Sequence, residues 1–281
     1  MKANGDRVAL ITGAASGIGR ATADRLRRLG FILALSDIAE ERLRATKQEL
    51  AARGATVLAV VADVSEAAAC RRVAGAVDDR FGRIDVLVNS AGLIRPGTAE
   101  AVSDADIELE LRVNLLGTIN ITRAVLPIMR RQNRGHIVNI ASIAALTPVP
   151  GEAVYCASKY GVRGYSLSVA LELRHSPIHV SLIHPDSVET PMIAYEATHG
   201  GAPLGLSGTM LKPEDVTDAI VRALRTGKRE IAVPRSRGRL ITVGELFPWL
   251  RDIVIDRLER AGERELARRQ AAEKSSHPED R

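Results

Sequence analysis

The stretch that decides the fold is V-A-L-I-T-G-A-A-S-G-I-G, residues 8–19. Its first part, Val8–Ile11, is a short run of apolar residues and predicts a buried strand. The glycines that follow allow a tight turn, and a run of helical period, Ile18–Leu29, begins inside that turn. A strand, a glycine-rich turn and a helix in immediate succession predict the first unit of an α/β sheet with a phosphate site at its turn.

The pairing of strand and helix recurs along the chain. Six further apolar runs predict strands: Ile32–Leu35, Val57–Val61, Val86–Val88, His136–Ile140, His179–Ile183 and Ile231–Val233. Longer segments of helical period separate them: Glu40–Arg53, Glu66–Phe81, Asp104–Arg131, Glu152–Arg174 and Pro213–Thr226. Strands that are apolar on both faces occur in parallel sheets covered by helices. The pattern therefore predicts an α/β doubly wound Rossmann fold, with a mostly parallel seven-stranded sheet and helices on both faces.

Two segments interrupt this alternation. Asp186–Leu211 carries four glycines and few regular signals, which predicts a long functional loop. After Val233 the sequence predicts a basic loop, followed by a helix that begins near Pro248. The arginines of the basic loop are Arg235, Arg237 and Arg239.

The chain reads as one folding unit with a tail. No proline-, glycine- or serine-rich linker divides it, so we expect a single Rossmann-type domain over residues 1–245. A C-terminal helix and basic tail would occupy residues 246–281, with disorder over about Ala271–Arg281.

The composition excludes several classes of protein. Hydrophobic residues make up 46% of the 281 residues, and no apolar run reaches the roughly 20 residues of a membrane span. Aromatic residues are only 3%, too few for a platform that stacks single-stranded nucleic acid. Two cysteines, Cys70 and Cys156, cannot build a disulfide framework, and Met1–Arg7 lacks the regions of a signal peptide. We expect a cytoplasmic globular protein.

The net charge of +5 is confined to the C-terminal part of the chain. Residues 1–221 contain 24 basic and 24 acidic side chains, whereas residues 222–281 contain 15 and 10. A basic tail is compatible with nucleic acid or an acidic membrane surface, but Arg and Glu are interleaved over Arg257–Arg269, which favours a solvated helix face. Because no recognition motif accompanies the charge, we expect no nucleic-acid partner.

The glycine-rich turn has the features of a phosphate site. Gly13, Gly17 and Gly19 leave room for the backbone to approach a pyrophosphate, and Ser16 and Ile18 belong to the same candidate site. The N-terminus of the following helix adds unpaired N–H groups and a partial positive charge. Such sites lie in the first strand-to-helix turn of a doubly wound sheet, so we expect a dinucleotide here.

An acidic residue at the end of the second predicted strand bears on the choice of dinucleotide. Asp37 follows Gly19 by 18 residues and can accept hydrogen bonds from ribose hydroxyls while repelling a 2′-phosphate. The alternative is an Asp that caps the next helix. Arg20 could favour a 2′-phosphate, but Ser36 and Ile38 give Asp37 no basic neighbour. We therefore expect NAD, with NADP as the alternative.

A tyrosine, a lysine and a serine form a candidate acid–base cluster. Y-C-A-S-K, residues 155–159, lies in a predicted helix, so Tyr155 and Lys159 share one face a turn apart. A nearby positive charge favours the phenolate form of a tyrosine, which allows proton exchange near neutral pH. Ser142 follows a predicted strand end, where open sheets place ligands. The tyrosine and lysine alone are typical of a surface pair, but the three residues together predict a catalytic site.

Taken together, these motifs resemble those of the short-chain dehydrogenases/reductases, in their single-domain branch. The resemblance covers roughly Arg7–Val233. Thr12–Gly19 resembles the family's T-G-x3-G-x-G cofactor loop, and Asn89–Gly92 reads N-S-A-G where N-N-A-G is usual. The residues that fall where the family's catalytic tetrad is expected are Asn114, Ser142, Tyr155 and Lys159.

The resemblance implies a role for each of these residues. Tyr155 is expected to be the general acid/base, Ser142 to hydrogen-bond the substrate oxygen, and Lys159 to lower the pKa of Tyr155 and bind the nicotinamide ribose. Asn114 is expected to position a water that links Lys159 to solvent. The further residues that the resemblance places at the cofactor are Asp63, Val64, Asn89, Ala91, Gly92, Pro185, Val188 and Thr190.

One position departs from the family's pattern. Pro185 is followed by Asp186 where the family usually has glycine, which adds a side chain and a charge near the nicotinamide. The Asp186 carboxylate is expected either to point to solvent or to contact substrate. The segment that ends in Thr190-Pro191 still resembles the family's V-x-T-P stretch.

The residues expected to face the substrate are mostly apolar. In addition to Ser142 they are Leu93, Ile94, Leu146, Val149, Met192, Ile193 and Tyr195. No arginine pair among them would bind a carboxylate or phosphate, so they predict a hydrophobic secondary alcohol or ketone as substrate. The alternative is that half of them fill the core beneath the loop. We expect no metal site.

Three functions are compatible with the sequence. The favoured one is an oxidoreductase that transfers hydride between NAD and a secondary alcohol or ketone, with an NADPH-dependent carbonyl reductase as its variant. A non-catalytic nucleotide-binding scaffold would have no need of Tyr155, and a nucleic-acid binder rests on the tail charge alone.

The expected partners beyond the substrate are other copies of the chain. The predicted helices Asp104–Arg131 and Glu152–Arg174 resemble those that pair subunits in the family, which implies a homodimer or homotetramer. The C-terminal helix, with Phe247 and Trp249, either packs on the protein, joins a neighbour or contacts a membrane surface.

Overall fold

The computed structural model describes residues 7–199 and 210–247, together with Trp249, Arg257 and Arg260. Every apolar run that predicts a strand forms one, with bounds that differ by at most two residues at either end from those expected. The strands are β1 (Val8–Thr12), β2 (Ile32–Asp37), β3 (Val57–Val61), β4 (Val86–Asn89), β5 (Gly135–Ile140), β6 (Ile178–Pro185) and β7 (Glu230–Val233). The disorder expected from Ala271 onward lies outside the described residues.

The strands of the described residues form one parallel sheet in the order β3-β2-β1-β4-β5-β6-β7. Successive strands are added on one side of β1 as far as β3, and the chain then crosses to the other side for β4. In the register of the central strands, Ala9 lies beside both Leu33 and Val86. The predicted doubly wound seven-stranded fold is confirmed, and its strand order reverses between β1 and β4.

Helices cover both faces of the sheet. They are α1 (Gly17–Arg28), α2 (Glu40–Ala52), α3 (Ala67–Phe81), α4 (Asp104–Leu111), α5 (Gly117–Arg131), α6 (Ala153–Glu172), α7 (Pro191–Thr198), α8 (Pro213–Thr226) and α9 (Arg235–Leu246). Leu10 of β1 packs in the core beneath α3, α5 and α6, while its neighbour Ile11 packs in the core beneath α1 and α8. Within the described part of the chain, no helix combines the length and apolar character needed to cross a bilayer.

The long helix predicted over Asp104–Arg131 is interrupted. Residues Arg112–Leu116 form a π-helical turn that separates α4 from α5. The side chain of Asn114, in this turn, hydrogen-bonds to the backbone of Leu93. Helical periodicity in a sequence does not distinguish a π turn from an α turn, so the interruption was not expected.

The two segments that interrupt the sequence pattern are also more regular than expected. The predicted loop Asp186–Leu211 contains α7, which has Pro191 at its first turn, and its residues 200–209 lie outside the described part. The predicted basic loop is the helix α9, which begins directly after Pro234. The helix expected to begin near Pro248 lies mostly outside the described residues.

Candidate active site

The carboxyl ends of the central strands open into a cavity of about 520 Å³. The cavity lies where the strand order reverses between β1 and β4, which is the position at which open parallel sheets bind ligands. Its lining comes from the segments that follow β1, β2, β3, β4, β5 and β6 and from α6 and α7.

The glycine-rich turn after β1 forms one wall of this cavity. Gly13 and Gly17 have φ angles of 64° and 49°, a region that residues with a side chain rarely adopt. A Cβ on Gly13 would lie 2.8 Å from the backbone of Ala91, so the segment after β4 packs directly against the turn. A Cβ on Gly19 would overlap the carbonyl oxygen of Gly13. Gly19 therefore allows α1 to approach the turn from behind.

Asp37, at the end of β2, lines the same cavity. Its carboxylate accepts hydrogen bonds from the backbone N–H groups of Ala15 and Ala39, each at 2.9 Å. The first of these bonds joins β2 to the glycine-rich turn. The carboxylate is therefore held in place beside the glycine-rich turn.

The basic side chain that lines the cavity from α2 is Arg42. Arg20, which the sequence offers as the cation near Asp37, forms an ion pair with Glu49 and does not line the cavity. Of Arg20 and Arg42, only Arg42 therefore shares the cavity with Asp37.

Ser142, Tyr155 and Lys159 meet in the cavity. Ser142 lies two residues beyond the end of β5, and the other two lie one turn apart on α6. The Nζ atom of Lys159 lies 5.5 Å from the centre of the Tyr155 ring and donates a hydrogen bond of 3.1 Å to the carbonyl oxygen of Ile140. Burial lowers the pKa of Lys159 to about 8, against the opposing effect of the Glu110 charge.

The pKa of Tyr155 is raised above its ordinary value, whereas the resemblance implies that Lys159 lowers it. Burial is the largest cause, and the negative charge of Glu152 adds to it. A side-chain hydrogen bond with Ser142 acts in the opposite direction. Burial and the carboxyl groups that the fold brings to the tyrosine therefore act against the effect expected of the Lys159 ammonium.

Asn114 lies behind this cluster and is 1% exposed. Its side chain accepts a hydrogen bond from the N–H of Leu93 and donates one to the carbonyl of the same residue, each at 2.9 Å. It also donates to Oγ of Ser158 at 3.1 Å, which joins the segment after β4 to α6. A Cβ on Gly92 would touch both Asn114 and Lys159, so the amide is a neighbour of the lysine.

A buried histidine that the sequence did not reveal supports Ser142. His184, 1% exposed, donates from Nδ1 to the carbonyl oxygen of Ser142 at 3.1 Å, and its Nε2 meets the Glu230 carboxylate at 3.0 Å. Arg163 donates to the same carboxylate at 2.7 Å. The hydrogen bond from His184 is the main reason why the pKa of Glu230 falls to about 2. This network ties β5, β6, β7 and α6 together beneath the serine.

Asp186, the residue that departs from the family's pattern, is held by α9. Its carboxylate forms an ion pair of 3.1 Å with Arg237 and accepts the N–H of Ser187 at 3.0 Å. Both Asp186 and Arg237 line the cavity. Neither alternative offered by the sequence foresaw this pairing, because α9 was expected to be a loop.

The cavity is more polar than the sequence predicts. Glu152 and Glu196 both line it, both are 7% exposed, and their side chains hydrogen-bond to each other. Burial raises the pKa of each carboxyl group. Arg95 and Arg237 also line the cavity, so the expectation of a pocket without an arginine pair is corrected. These residues are distant in the sequence, and only the fold brings them together.

Most of the predicted site residues line the cavity in addition to Ser142, Tyr155 and Lys159. They are Gly13, Ser16, Gly17, Ile18, Asp37, Asp63, Val64, Ala91, Gly92, Pro185, Val188 and Thr190, and on the substrate side Leu93, Ile94, Val149, Met192, Ile193 and Tyr195. Gly19, Asn89, Asn114 and Leu146 do not line it. Asn89 is buried at the end of β4, where its amide donates to Asn139 at 2.7 Å and to Thr122 at 3.1 Å.

A family model described as short chain dehydrogenase matches residues 7–199. The chain belongs to this family. The match runs from the start of β1 to the end of α7, so it includes most of the cavity that this short-chain dehydrogenase presents.

This short-chain dehydrogenase is similar to characterised and solved relatives in both sequence and structure. The BbsD subunit of a hydroxy(phenyl)methylsuccinyl-CoA dehydrogenase from Thauera aromatica is 43% identical over 187 residues, which are 66% of this chain and 75% of that protein. A short-chain dehydrogenase/reductase from Burkholderia phymatum, solved in complex with NAD, superposes with a TM-score of 0.81 and 29% identity, over 89% of this chain and 97% of that one. A variant of actinorhodin polyketide ketoreductase, solved with NADPH, superposes with a TM-score of 0.75 and 31% identity, over 81% of this chain and 95% of that one.

Proposed function

We propose that this short-chain dehydrogenase transfers a hydride between a nicotinamide cofactor, preferentially NAD, and a secondary alcohol or ketone. The observation that carries the proposal is the meeting of Ser142, Tyr155 and Lys159 in the cavity that the glycine-rich turn also lines. A place for a dinucleotide and a place for proton transfer thus share one space. The relatives solved with NAD and with NADPH support a nicotinamide cofactor.

The residues of the cavity suit such a dinucleotide. Gly13 and Gly17 present backbone without side chains at the proposed pyrophosphate, and α1 begins at Gly17 with unpaired N–H groups. Asp37 would bind the adenosine ribose. By the resemblance to the family, Asp63 and Val64 would lie beside the adenine, and Pro185, Val188 and Thr190 beside the nicotinamide. When bound, the cofactor supplies or accepts the hydride.

The chain's own side chains would handle the substrate oxygen and the proton. Tyr155 donates its hydroxyl proton to the carbonyl oxygen in reduction and accepts a proton from the alcohol in oxidation. Ser142 hydrogen-bonds the same oxygen, and His184 holds the serine's backbone in place. Lys159 stabilises the phenolate that forms once the proton has left.

Asn114 would act as a positioning residue. Its amide is engaged by Leu93 and Ser158, and its backbone carbonyl accepts a hydrogen bond of 2.8 Å from Thr118. It fixes the segment after β4 against α6, and therefore fixes the surroundings of Lys159. A water held between Asn114 and Lys159 remains part of the proposal, as the resemblance implies.

We also propose that the chain forms a homodimer or homotetramer. Large apolar side chains are exposed on the helices that pair subunits in the family: Leu116 is 45% exposed and Leu171 is 52% exposed. Exposed apolar side chains that form a patch are typical of protein–protein contacts, so these helices are the candidate interface. Light scattering of the purified chain would give the number of subunits.

Replacement of Asp37 with Ser is expected to change the cofactor preference. Loss of a charged hydrogen-bond acceptor should lower kcat/KM with NAD by roughly 10- to 100-fold, since such a bond contributes about 1.5–3 kcal/mol. Use of NADP should improve, because the repulsion of its 2′-phosphate is removed. Steady-state kinetics with both cofactors would measure the ratio.

Two arginine variants serve as controls for this prediction. Arg42→Gln in the Asp37→Ser background should weaken the gained use of NADP, because Arg42 lines the cavity. Arg20→Gln should change neither cofactor's kinetics, because Arg20 pairs with Glu49 outside the cavity. An unchanged ratio of NAD to NADP use in Asp37→Ser would contradict the role given to Asp37.

The proposed function itself is tested by cofactor binding together with turnover. At 100 times its dissociation constant, a cofactor should stabilise the protein by about 2.7 kcal/mol, which a thermal melt detects. A panel of apolar ketones and alcohols should then show cofactor-dependent reduction and oxidation. Stabilisation without any turnover would favour a nucleotide-binding scaffold, and the absence of both would overturn the proposal.

A further inference from the structure

Two carboxyl groups in the cavity hydrogen-bond to each other rather than to a cation. Glu152 lies directly before α6, three residues ahead of Tyr155, and Glu196 lies on α7. Both side chains line the cavity and both are buried. A direct hydrogen bond between two carboxyl groups requires one proton shared by the pair, which then carries a single negative charge.

Among the residues that the structure describes, no neighbouring cation offsets the charge of this pair. The groups that act most strongly on Glu152 are other carboxyls, Glu196 and Glu110. Arg95 forms an ion pair of 3.0 Å with Asp106 and lies over the ring of Tyr195 at 5.0 Å. Two further cations that line the cavity have other partners. Arg237 forms an ion pair with Asp186, and Lys159 donates a hydrogen bond to the carbonyl oxygen of Ile140.

A third carboxyl group, that of Glu110, is buried behind the pair, and the charges of Lys159 and Arg95 offset part of its own charge. Glu110 is 0% exposed, and neither of its carboxylate oxygens meets a hydrogen-bond partner at normal geometry. It lies near the end of α4, three residues before Val113 of the π-helical turn, which lines the cavity, and its charge acts on both Glu152 and Tyr155. Three carboxyl groups therefore act on one part of the cavity, and a buried negative charge normally has a positive partner.

We infer that Glu152 and Glu196 bind a protonated amino group of the substrate, so that the enzyme acts on amino ketones and amino alcohols with an apolar body. This inference rests on the proposed function, because it names the substrate class of the same site. A protonated amine supplies the missing positive charge and an N–H donor that a carboxylate accepts. The apolar body would contact Leu93, Ile94 and Met192, which line the same cavity.

The occupant is an organic cation rather than a metal ion. Within the residues that the structure describes, no group of three or more His, Cys, Asp and Glu side chains has the arrangement that holds a metal. Glu110 therefore does not join the pair in such a group, although its charge acts on Glu152. A neutral hydroxyl could donate to the same carboxylate but would leave the excess negative charge in place.

The test compares two ketones of nearly the same shape. In 4-(dimethylamino)cyclohexanone a protonated nitrogen occupies the position of a neutral carbon in 4-isopropylcyclohexanone. With the full-length protein and its reduced cofactor, we expect kcat/KM for the amino ketone to be higher by roughly 10- to 100-fold, the range of one hydrogen bond to a charged group. Equal values for the two ketones would overturn the inference.

Substitutions of the pair locate the effect. Glu196→Gln removes the charge and should lower kcat/KM for the amino ketone by about 10-fold or more while changing that for the neutral ketone by less than about twofold. Glu152→Gln retains a neutral hydrogen-bond donor beside Glu196 and should lower kcat/KM for the amino ketone by less than Glu196→Gln does. The matched control is Glu172→Gln, which alters an exposed residue on α6 and should leave kcat/KM for both ketones unchanged. An equal loss with both ketones in Glu196→Gln would indicate a structural role and overturn the inference.

A binding measurement separates this inference from the proposed function. Titration calorimetry with trans-4-(dimethylamino)cyclohexanol, in the presence of the reduced cofactor, with which the alcohol cannot react, should show tighter binding to the wild type than to Glu196→Gln. If the neutral ketone is reduced but the amine is neither bound nor preferred, the subsite is refuted and the hydride-transfer function stands. If no ketone is reduced but the amine binds through Glu196, the function fails and the subsite stands.

Discussion

Replacement of Tyr155 with Phe is expected to lower kcat for ketone reduction by roughly 10²- to 10⁴-fold, the usual contribution of a positioned general acid or base. The substitution removes the hydroxyl and leaves the ring, which packs beside Ala144 and Val149. Lys159 keeps its hydrogen bond to Ile140, so the site around the missing hydroxyl should persist. Single-turnover kinetics with the reduced cofactor would measure the chemical step directly.

Two comparisons show whether the loss belongs to proton transfer. Tyr160→Phe, on the exposed side of the same helix, should leave kcat within about twofold, since surface changes usually have small effects. Tyr155→Phe should still be stabilised by the cofactor in a thermal melt. Activity of Tyr155→Phe within a few-fold of the wild type would refute the role of the tyrosine, and the proposed mechanism with it.

Replacement of Glu110 with Gln is expected to stabilise the protein at alkaline pH. Burial raises the pKa of Glu110 to about 7, whereas the unfolded chain has its ordinary value of 4.5. The folded protein therefore binds the proton more tightly than the unfolded chain. The wild type should lose stability as the pH rises from the unfolded value toward the folded one, by up to about 3 kcal/mol from this residue.

The glutamine variant cannot ionise, so it should not show this loss. Urea unfolding near pH 5 should give similar free energies for the two proteins, and near pH 8 the variant should be more stable by up to about 3 kcal/mol. Glu108→Gln, which alters an exposed neighbour paired with Arg112, should show no such pH dependence. A difference between wild type and Glu110→Gln that is the same at both pH values would contradict the assigned pKa.

The sequence predicts the sheet well because each strand is a compact apolar run. Val8–Ile11 is followed at once by glycines, so the strand, the turn and the start of α1 are all fixed by local residues. The same locality explains why Tyr155 and Lys159 were recognised, since their spacing is a property of one helix. Ser142 was found because a strand end precedes it.

The sequence does not predict features that depend on contacts between residues distant along the chain. The π-helical turn at Arg112–Leu116 has the same apolar spacing as a continuous helix, and α7 lies in a segment rich in glycine. Glu152 and Glu196 are separated by 44 residues, and nothing local marks them as partners. The raised pKa of Tyr155 has the same origin, because burial by the surrounding fold is its largest cause and carboxyl groups from separate elements add to it.

The ion pair between Asp186 and Arg237 has a practical consequence for handling the protein. It fastens α9 to the rim of the cavity, and α9 itself packs closely on β7, since a Cβ on Gly238 would overlap the side chain of Ala232. A truncation that ends before Arg237 would leave the Asp186 carboxylate without its partner at the mouth of the site. Shortened versions of the protein should therefore retain the whole of α9.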